Sequence, residues 1–221
     1  MRASLILMCI LMAVSMLGCA SSGGGSPEGR GLLSDWDMEP GWNGATIDRL
    51  RIEKQQEEDG NNVAKVSWSA GGEWGMARLF ATLPRGVDYG EFDGIYFRIR
   101  NNNGEDGINL YTAIHGDRGV IWRVDHWVNR SNDQPDGWAV VFMPFYETSE
   151  PDWGVPCRQN TLKEWLTIDK YSTRTLHISP VLNPSVMQIG ADQVTLFDDI
   201  GFFKGSAYDP ESITIIWTFD E

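Results

Sequence analysis

The chain has 221 residues, with 18 Lys+Arg against 31 Asp+Glu and a formal net charge of −13. That balance argues against nucleic acid as a partner, because binding a phosphate backbone needs positive contacts; 42% hydrophobic and 11% aromatic residues exclude a disordered chain. The length suits one domain with a full core, and ten Trp are more than such a core needs, so some indoles are expected at the surface.

At the start of the chain, Arg2 precedes an apolar run from Leu5 to Leu17. The run has the length of a signal-peptide core and is too short to span a bilayer as a helix. It ends in Met16-Leu17-Gly18-Cys19, which resembles the lipobox of bacterial lipoproteins, with Met16 where Leu is commoner. The resemblance implies removal of residues 1–18, lipidation of Cys19 and a membrane partner held through several acyl chains. An ordinary secretory peptide is the alternative, and Cys19 with the polar 21–27 stretch favours the lipoprotein. By resemblance to enterobacterial sorting, Ala20 after the Cys implies an outer-membrane lipoprotein, facing the periplasm or the cell surface. Only Arg2 among residues 1–18 is charged, so the remainder carries 17 basic and 31 acidic groups, a net −14. Cys9 lies in the leader and Cys19 is the implied lipidation site, which leaves Cys157 alone and permits no intramolecular disulfide. Residues 19–30 read as the lipidated Cys and a Gly/Ser/Pro linker, whose residues 20–30 reach no more than roughly 35–40 Å.

From residue 31 the chain reads as short alternating strands separated by turns. In 63–68, Ala64, Val66 and Trp68 share one side. In 94–100, Ile95, Phe97 and Ile99 face one way and Tyr96, Arg98 and Arg100 the other. A turn at 101–104 leads to 108–115, with Ile108, Leu110 and Ile114 inward and Asn109, Tyr111 and His115 outward. In 119–128, Val120, Trp122 and Val124 face the core, and Arg123, Asp125 and Trp127 face out. The run 138–143, with Trp138 on the core side, stops at Pro144. Next, 175–182 puts Leu176 and Ile178 inward and His177 outward, and 193–204 is the last long strand. Helix is scarce, with one or two turns expected at 161–170. About nine strands in about 175 residues predict an all-β fold, a two-sheet β-sandwich of the jelly-roll kind.

Several segments occur in a known order. They are Trp36-Asp37-Met38-Glu39, then Trp74-Gly75-Met76-Ala77-Arg78-Leu79, then Phe92-Asp93-Gly94-Ile95-Tyr96-Phe97-Arg98, then Trp138 to Phe145 and Asp198-Asp199-Ile200. Residues 31–205 thereby resemble galactose-binding-like jelly rolls, specifically the family 11 carbohydrate-binding modules and the complex I intermediate-associated protein 30 domain. The resemblance implies a sheet face that binds a β-glucan-type polysaccharide, with hydrolases as partners.

If the core is as read, the opposite strand faces carry Tyr96, Arg98, Tyr111, His115, Arg123, Asp125, Trp127 and His177. Flat rings match the apolar C–H patches of a pyranose, and forked Arg and Asp groups match its hydroxyls. A merely solvated face with cross-strand ion pairs and a protein-binding surface are the competing readings. The resemblance also implies a structural Ca²⁺ where first and last strands meet, for which Glu39 and Asp199 are the candidate ligands. No G-x-S-x-G, H-E-x-x-H, P-loop or G-x-G-x-x-G motif is present, so a non-catalytic module is expected, with a protein-interaction or assembly factor as the alternative and a glycoside hydrolase as the third reading. The 206–221 tail contains a strand-like run at 213–219, read as an extra strand, with the truncated opening of a second module as the alternative.

Overall fold

A computed structural model describes residues 33–40, 47–101, 107–116, 119–129, 137–145, 166, 174–205 and 209–219. Within them are eleven strands: β1 (Trp36–Pro40), β2 (Ile47–Gln56), β3 (Asn62–Ala70), β4 (Ala77–Thr82), β5 (Gly94–Asn101), β6 (Gly107–Gly116), β7 (Gly119–Asn129), β8 (Ala139–Pro144), β9 (Arg174–Val181), β10 (Gln193–Phe203) and β11 (Ile213–Trp217). The first sheet runs β1-β4-β9-β6-β7, and the second runs β2-β3-β10-β5-β8 with β11 also on β10. Every pairing between these strands is antiparallel. The two sheets form a β-sandwich, as the alternating runs predict.

Alternation explains why these segments pair this way. Ile95, Phe97 and Ile99 of β5, Ile108, Leu110 and Ile114 of β6, and Leu176 and Ile178 of β9 all enter one buried cluster between the sheets. β4 contributes the smaller Ala77, Leu79 and Ala81. Four indoles fill the middle, at 4% exposure or less: Trp36, Trp68, Trp122 and Trp217. Trp36 and Trp217 meet edge to face at 5.2 Å, so the first and last strands close on each other inside the core. Trp68 Nε1 donates to Thr195 Oγ1 at 3.4 Å. The indole N–H groups of Trp36, Trp122 and Trp217 are buried without a hydrogen-bond partner, so these rings are held by packing alone. β11 approaches β10 closely at Gly201, where a Cβ would lie 2.2 Å from the Thr214 carbonyl oxygen. Only glycine admits that contact.

The structure corrects two core assignments. In β7 the register shifts where β6 passes from Ile114 to His115, so Val120 opposes the outward His115 and Ile121 enters the core in its place. Trp138 precedes β8, whose inward residues are Ala139, Val141 and Met143. The parity of that strand turns Trp138 outward, into a separate cluster with Val63 and Leu196 on the far side of the second sheet. There the guanidinium groups of Arg98 and Arg100 each lie 5.0 Å from its ring centroid. β2 was not evident as a strand in the sequence, because its charged residues alternate only with Leu50 and Ile52 against the core. The strand-like run in the tail is β11, which pairs with β10. Of the expected helix at 161–170, only Leu166 is described, and it is buried. The leader, Cys19, the linker and Cys157 lie outside the described residues.

Truncating the ring that joins the chain ends is expected to be costly. Trp217→Ala should lose about 3–5 kcal/mol in urea unfolding. Val140→Ala, on an outward position 45% exposed, should stay within about 0.5 kcal/mol of the parent.

Candidate ligand-binding face

The outward residues of the first sheet fall into rows across its strands. Met76 bridges Val181, which opposes Asn109, which opposes Trp127. In the next row Ser179 opposes Tyr111 and Tyr111 opposes Asp125. Toward the β1 edge of the same face, Arg78 of β4 opposes Glu39 of β1. A third row holds Phe80, His177, Ala113 and Arg123. The fourth holds Thr82, Thr175 and His115. Between the first and third rows the β4–β9 ladder opens, and Ser179 Oγ fills the gap. It accepts from Leu79 N–H at 3.1 Å and donates to the Leu79 carbonyl at 3.3 Å.

Rings dominate the centre. Phe80 stacks on His177 at 5.2 Å, and His177 stacks on His115 at 3.8 Å, giving a pile of three near-parallel rings across β4, β9 and β6. Tyr111 stands edge-on to both imidazoles, with its hydroxyl 2.9 Å from His115 Nε2. Thr175 Oγ1 lies 3.0 Å from His177 Nε2. Arg123 sits 5.0 Å over the Tyr111 ring and is ion-paired with Asp125. Arg78 is ion-paired with Glu39 at the opposite margin. Trp127 lies over the neighbouring strand: a Cβ on Gly107 would come within 2.7 Å of its Cε2 and Cζ2 atoms. Glycine there lets the indole rest on the sheet.

Burial decides which of these groups can touch a ligand. Tyr111 (2% exposed) and His177 (4%) form the floor. Phe80, His115, Arg78 and Trp127 are partly exposed and Asp125 is exposed. Burial, with a contribution from Arg78, pushes His115 down to about 4 from its ordinary 6.5. Burial, His115 and Arg78 push His177 down to about 3. Both imidazoles are therefore neutral near pH 7, which permits their close stacking. Burial, chiefly, pushes the Tyr111 phenol up to about 12.

Six of the eight residues expected on one face are on this sheet: Tyr111, His115, Arg123, Asp125, Trp127 and His177. Tyr96 and Arg98 are not. They belong to β5, which pairs with β10 and β8 in the second sheet, so they face away across the sandwich. Tyr96 packs on Phe142 at 5.1 Å. Arg98 bonds Asp198 at 3.3 Å and Asp199 at 3.4 Å. The expected Ca²⁺ pair is separated likewise: Glu39 lies on the first sheet beside Arg78, and Asp199 on the second beside Arg98. Among the described residues no three His, Cys, Asp or Glu side chains come together as a metal site. Phe80 and Arg78 were missed by sequence reasoning. Their signal was present, since they alternate with the core residues Ala77, Leu79 and Ala81.

The outer face of the second sheet is of another kind. Lys65 and Arg51 pair with Glu53 at 2.9 and 2.6 Å, and Arg100 pairs with Glu57 at 2.6 Å. Asp198 is 1% exposed and accepts from Asn61 Nδ2 at 2.8 Å. Burial, reinforced by Asp199, pushes its carboxyl up to about 6.

No protein-family profile and no curated protein matches the chain. Solved structures do. The family 11 carbohydrate-binding module of a cellulosomal cellulase of Clostridium thermocellum is 16% identical, over 79% of this chain and 91% of that one, with a TM-score of 0.46. The family 11 module from Clostridium thermocellum in complex with a beta-1,3-1,4-mixed-linked tetrasaccharide is 18% identical over the same shares, with a TM-score of 0.47. A mannan-recognising module, TmCBM27, is 14% identical over 79% of this chain and 91% of that one, with a TM-score of 0.44.

The depressed histidines fix a pH dependence. Unfolded imidazoles take up protons near 6.5, whereas folded His115, His126 and His177 refuse them until about pH 4, 4 and 3. Their contribution to stability therefore falls as pH drops from about 6.5 towards 4. Asp198 acts oppositely: its folded value of about 6 exceeds the ordinary 3.8, so its contribution falls as pH rises through that range. Three groups outweigh one, and urea midpoints should rise from pH 4.5 to 6.5. The variant His115→Gln/His177→Gln should flatten that rise, and NMR titration should find both imidazoles still neutral at pH 5.5.

Proposed function

We propose that the protein is a non-catalytic lipoprotein that binds a β-glucan-type polysaccharide on the outer face of its first sheet. The observation that carries this reading is the Phe80–His177–His115 stack, with its partly exposed outer rings and neutral imidazoles. The uncharged stack presents an apolar row of ring edges, with only the outer faces of Phe80 and His115 left free, so the C–H faces of pyranoses can settle on it without a desolvation cost for charge. Arg78 with Glu39 on one margin and Arg123 with Asp125 on the other supply forked donors and acceptors for hydroxyls. Trp127, whose ring rests over Gly107, adds a flat surface beside them.

The same geometry favours binding over hydrolysis. Glycosidases use two carboxyl groups about 5–10 Å apart. Among the described residues, the acids of this face are Asp37 and Glu39 on β1 and Asp125 on β7, at opposite ends of the strand order. Four strand spacings, roughly 19 Å, separate Asp125 from the β1 acids; Asp37 and Glu39 stand about 7 Å apart on one edge strand, but Glu39 is engaged by Arg78. Glu39 and Asp125 are moreover each held by an arginine. The lipobox-like segment supports attachment through Cys19 to the outer membrane, where a short linker would keep captured polysaccharide close to partner hydrolases.

Affinity electrophoresis against mixed-linkage β-glucan, xyloglucan, a soluble cellulose and galactan tests the binding. Retardation by a β-glucan is expected, with Phe80→Ala and Trp127→Ala each weakening it about tenfold. Arg51→Ala, on the opposite sheet, should behave as the parent. No retardation by any polymer would overturn the reading. For the anchor, labelled palmitate should enter the parent chain but not Cys19→Ser.

A further inference from the structure

One exposed aromatic outside these rows stands in backbone that it does not favour. Trp74 is 43% exposed and has φ 57°. It is the third residue of a turn in which Gly75 N–H donates to the Gly72 carbonyl at 3.2 Å. A positive φ at that position of a turn is normally given to glycine, and a bulky residue there is strained. An indole so exposed gains little burial to offset that strain. The turn is nevertheless fixed in place. Leu182 N–H donates to the Gly75 carbonyl at 2.8 Å, and Gly190 N–H donates to the Ala70 carbonyl at 2.9 Å. Two residues after Trp74, Met76 bridges Val181 and packs with Tyr111 and Ala113 on the outer side of the first sheet. Trp74 thus lies, two residues ahead of Met76 in the chain, at the β4 end of the row Met76–Val181–Asn109, whose β7 end is Trp127. Three strand spacings, roughly 14 Å, separate β4 from β7.

We propose that Trp74 is a second stacking surface for polysaccharide, and that a linear glycan chain crosses the strands along this row from Trp127 to Trp74. The proposal rests on the reading of the first sheet as the glycan face and adds to it a direction and an end. The apolar floor of Met76 and Val181 lies between two indoles, so the chain that fits must be long enough to reach both. Strain at Trp74 is kept because the turn holds the ring where the chain leaves the sheet.

Chain-length dependence tests this. Isothermal titration of the full chain in detergent would use β-glucan oligosaccharides from disaccharide to hexasaccharide. Parent affinity should rise with length. Trp74→Gly should remove about fivefold or more of the affinity for the hexasaccharide and leave that for the shortest ligand that binds unchanged. Its melting temperature should equal or exceed the parent's, because glycine suits the turn. Trp74→Tyr, which keeps a ring, should retain most of the hexasaccharide affinity. Parent-like binding of every length by Trp74→Gly, while Trp127→Ala is impaired, would overturn this proposal alone. An equal loss at all lengths together with a lowered melting temperature would also overturn it, by making Trp74 structural. A parent chain that binds none of the sugars would overturn the glycan reading and this proposal together.

Discussion

A strand has two faces, and burial claims one of them. In β6 and β9, both flanked by neighbours on either side, Leu110, Ile114, Leu176 and Ile178 are committed to the space between the sheets. Tyr111, His115 and His177 are then left only the outside. The imidazole stack follows from this. β6 and β9 lie one strand spacing apart, about 4.8 Å, and His177 opposes Ala113 while His115 opposes Thr175. The small side chain of Ala113 leaves room for the two rings to lean together diagonally. A slip of one residue in either strand would bury the polar rings and expose the aliphatic ones, so the core enforces the register on which the face depends.

Much of this was legible in the amino-acid order, for a physical reason. Period-two alternation reports which residues of a strand share a side, and it sorted Ile108, Leu110 and Ile114 from Asn109, Tyr111 and His115 correctly. Alternation carries no record of which sheet a strand joins. β5 alternates as cleanly as β6, with Tyr96 and Arg98 outward, but it pairs with β10 and β8. Its rings and charges therefore face the opposite side of the molecule. Parity also fails at strand ends, where one residue decides the side. Trp138 sits just ahead of β8 and takes the outward parity of Val140 and Phe142. The close passage of Trp127 over Gly107 joins residues of different strands, so it was visible only in three dimensions.

The two outer faces show what a β-sandwich does with its polar sides. On the second sheet the charges answer one another: Glu53 lies with Arg51 and Lys65, Glu57 with Arg100, and Asp198 with Arg98 and Asn61. Two arginines lie over the Trp138 ring, which is only 4% exposed. That is the arrangement of a surface closed by its own cross-strand pairs. On the first sheet the ion pairs stand at the margins and uncharged rings occupy the middle. The contrast arises because desolvation keeps His115 and His177 neutral, so no counter-charge is needed between them.

The edge-to-face contact of Trp36 with Trp217 has a consequence for how the chain reaches this state. Its two rings are nearly as far apart along the chain as two described residues can be. β10 likewise draws its partners from both earlier and later strands, β3, β5 and β11. The protein is thus built from contacts of high sequence separation, the kind that fold slowly because long loops must close first. No amino-terminal fragment can complete the hydrophobic core before residue 217 is available. Until residues 213–217 are available, β10 lacks its β11 partner, and unpaired strand edges of that kind are where a folding chain is prone to aggregate.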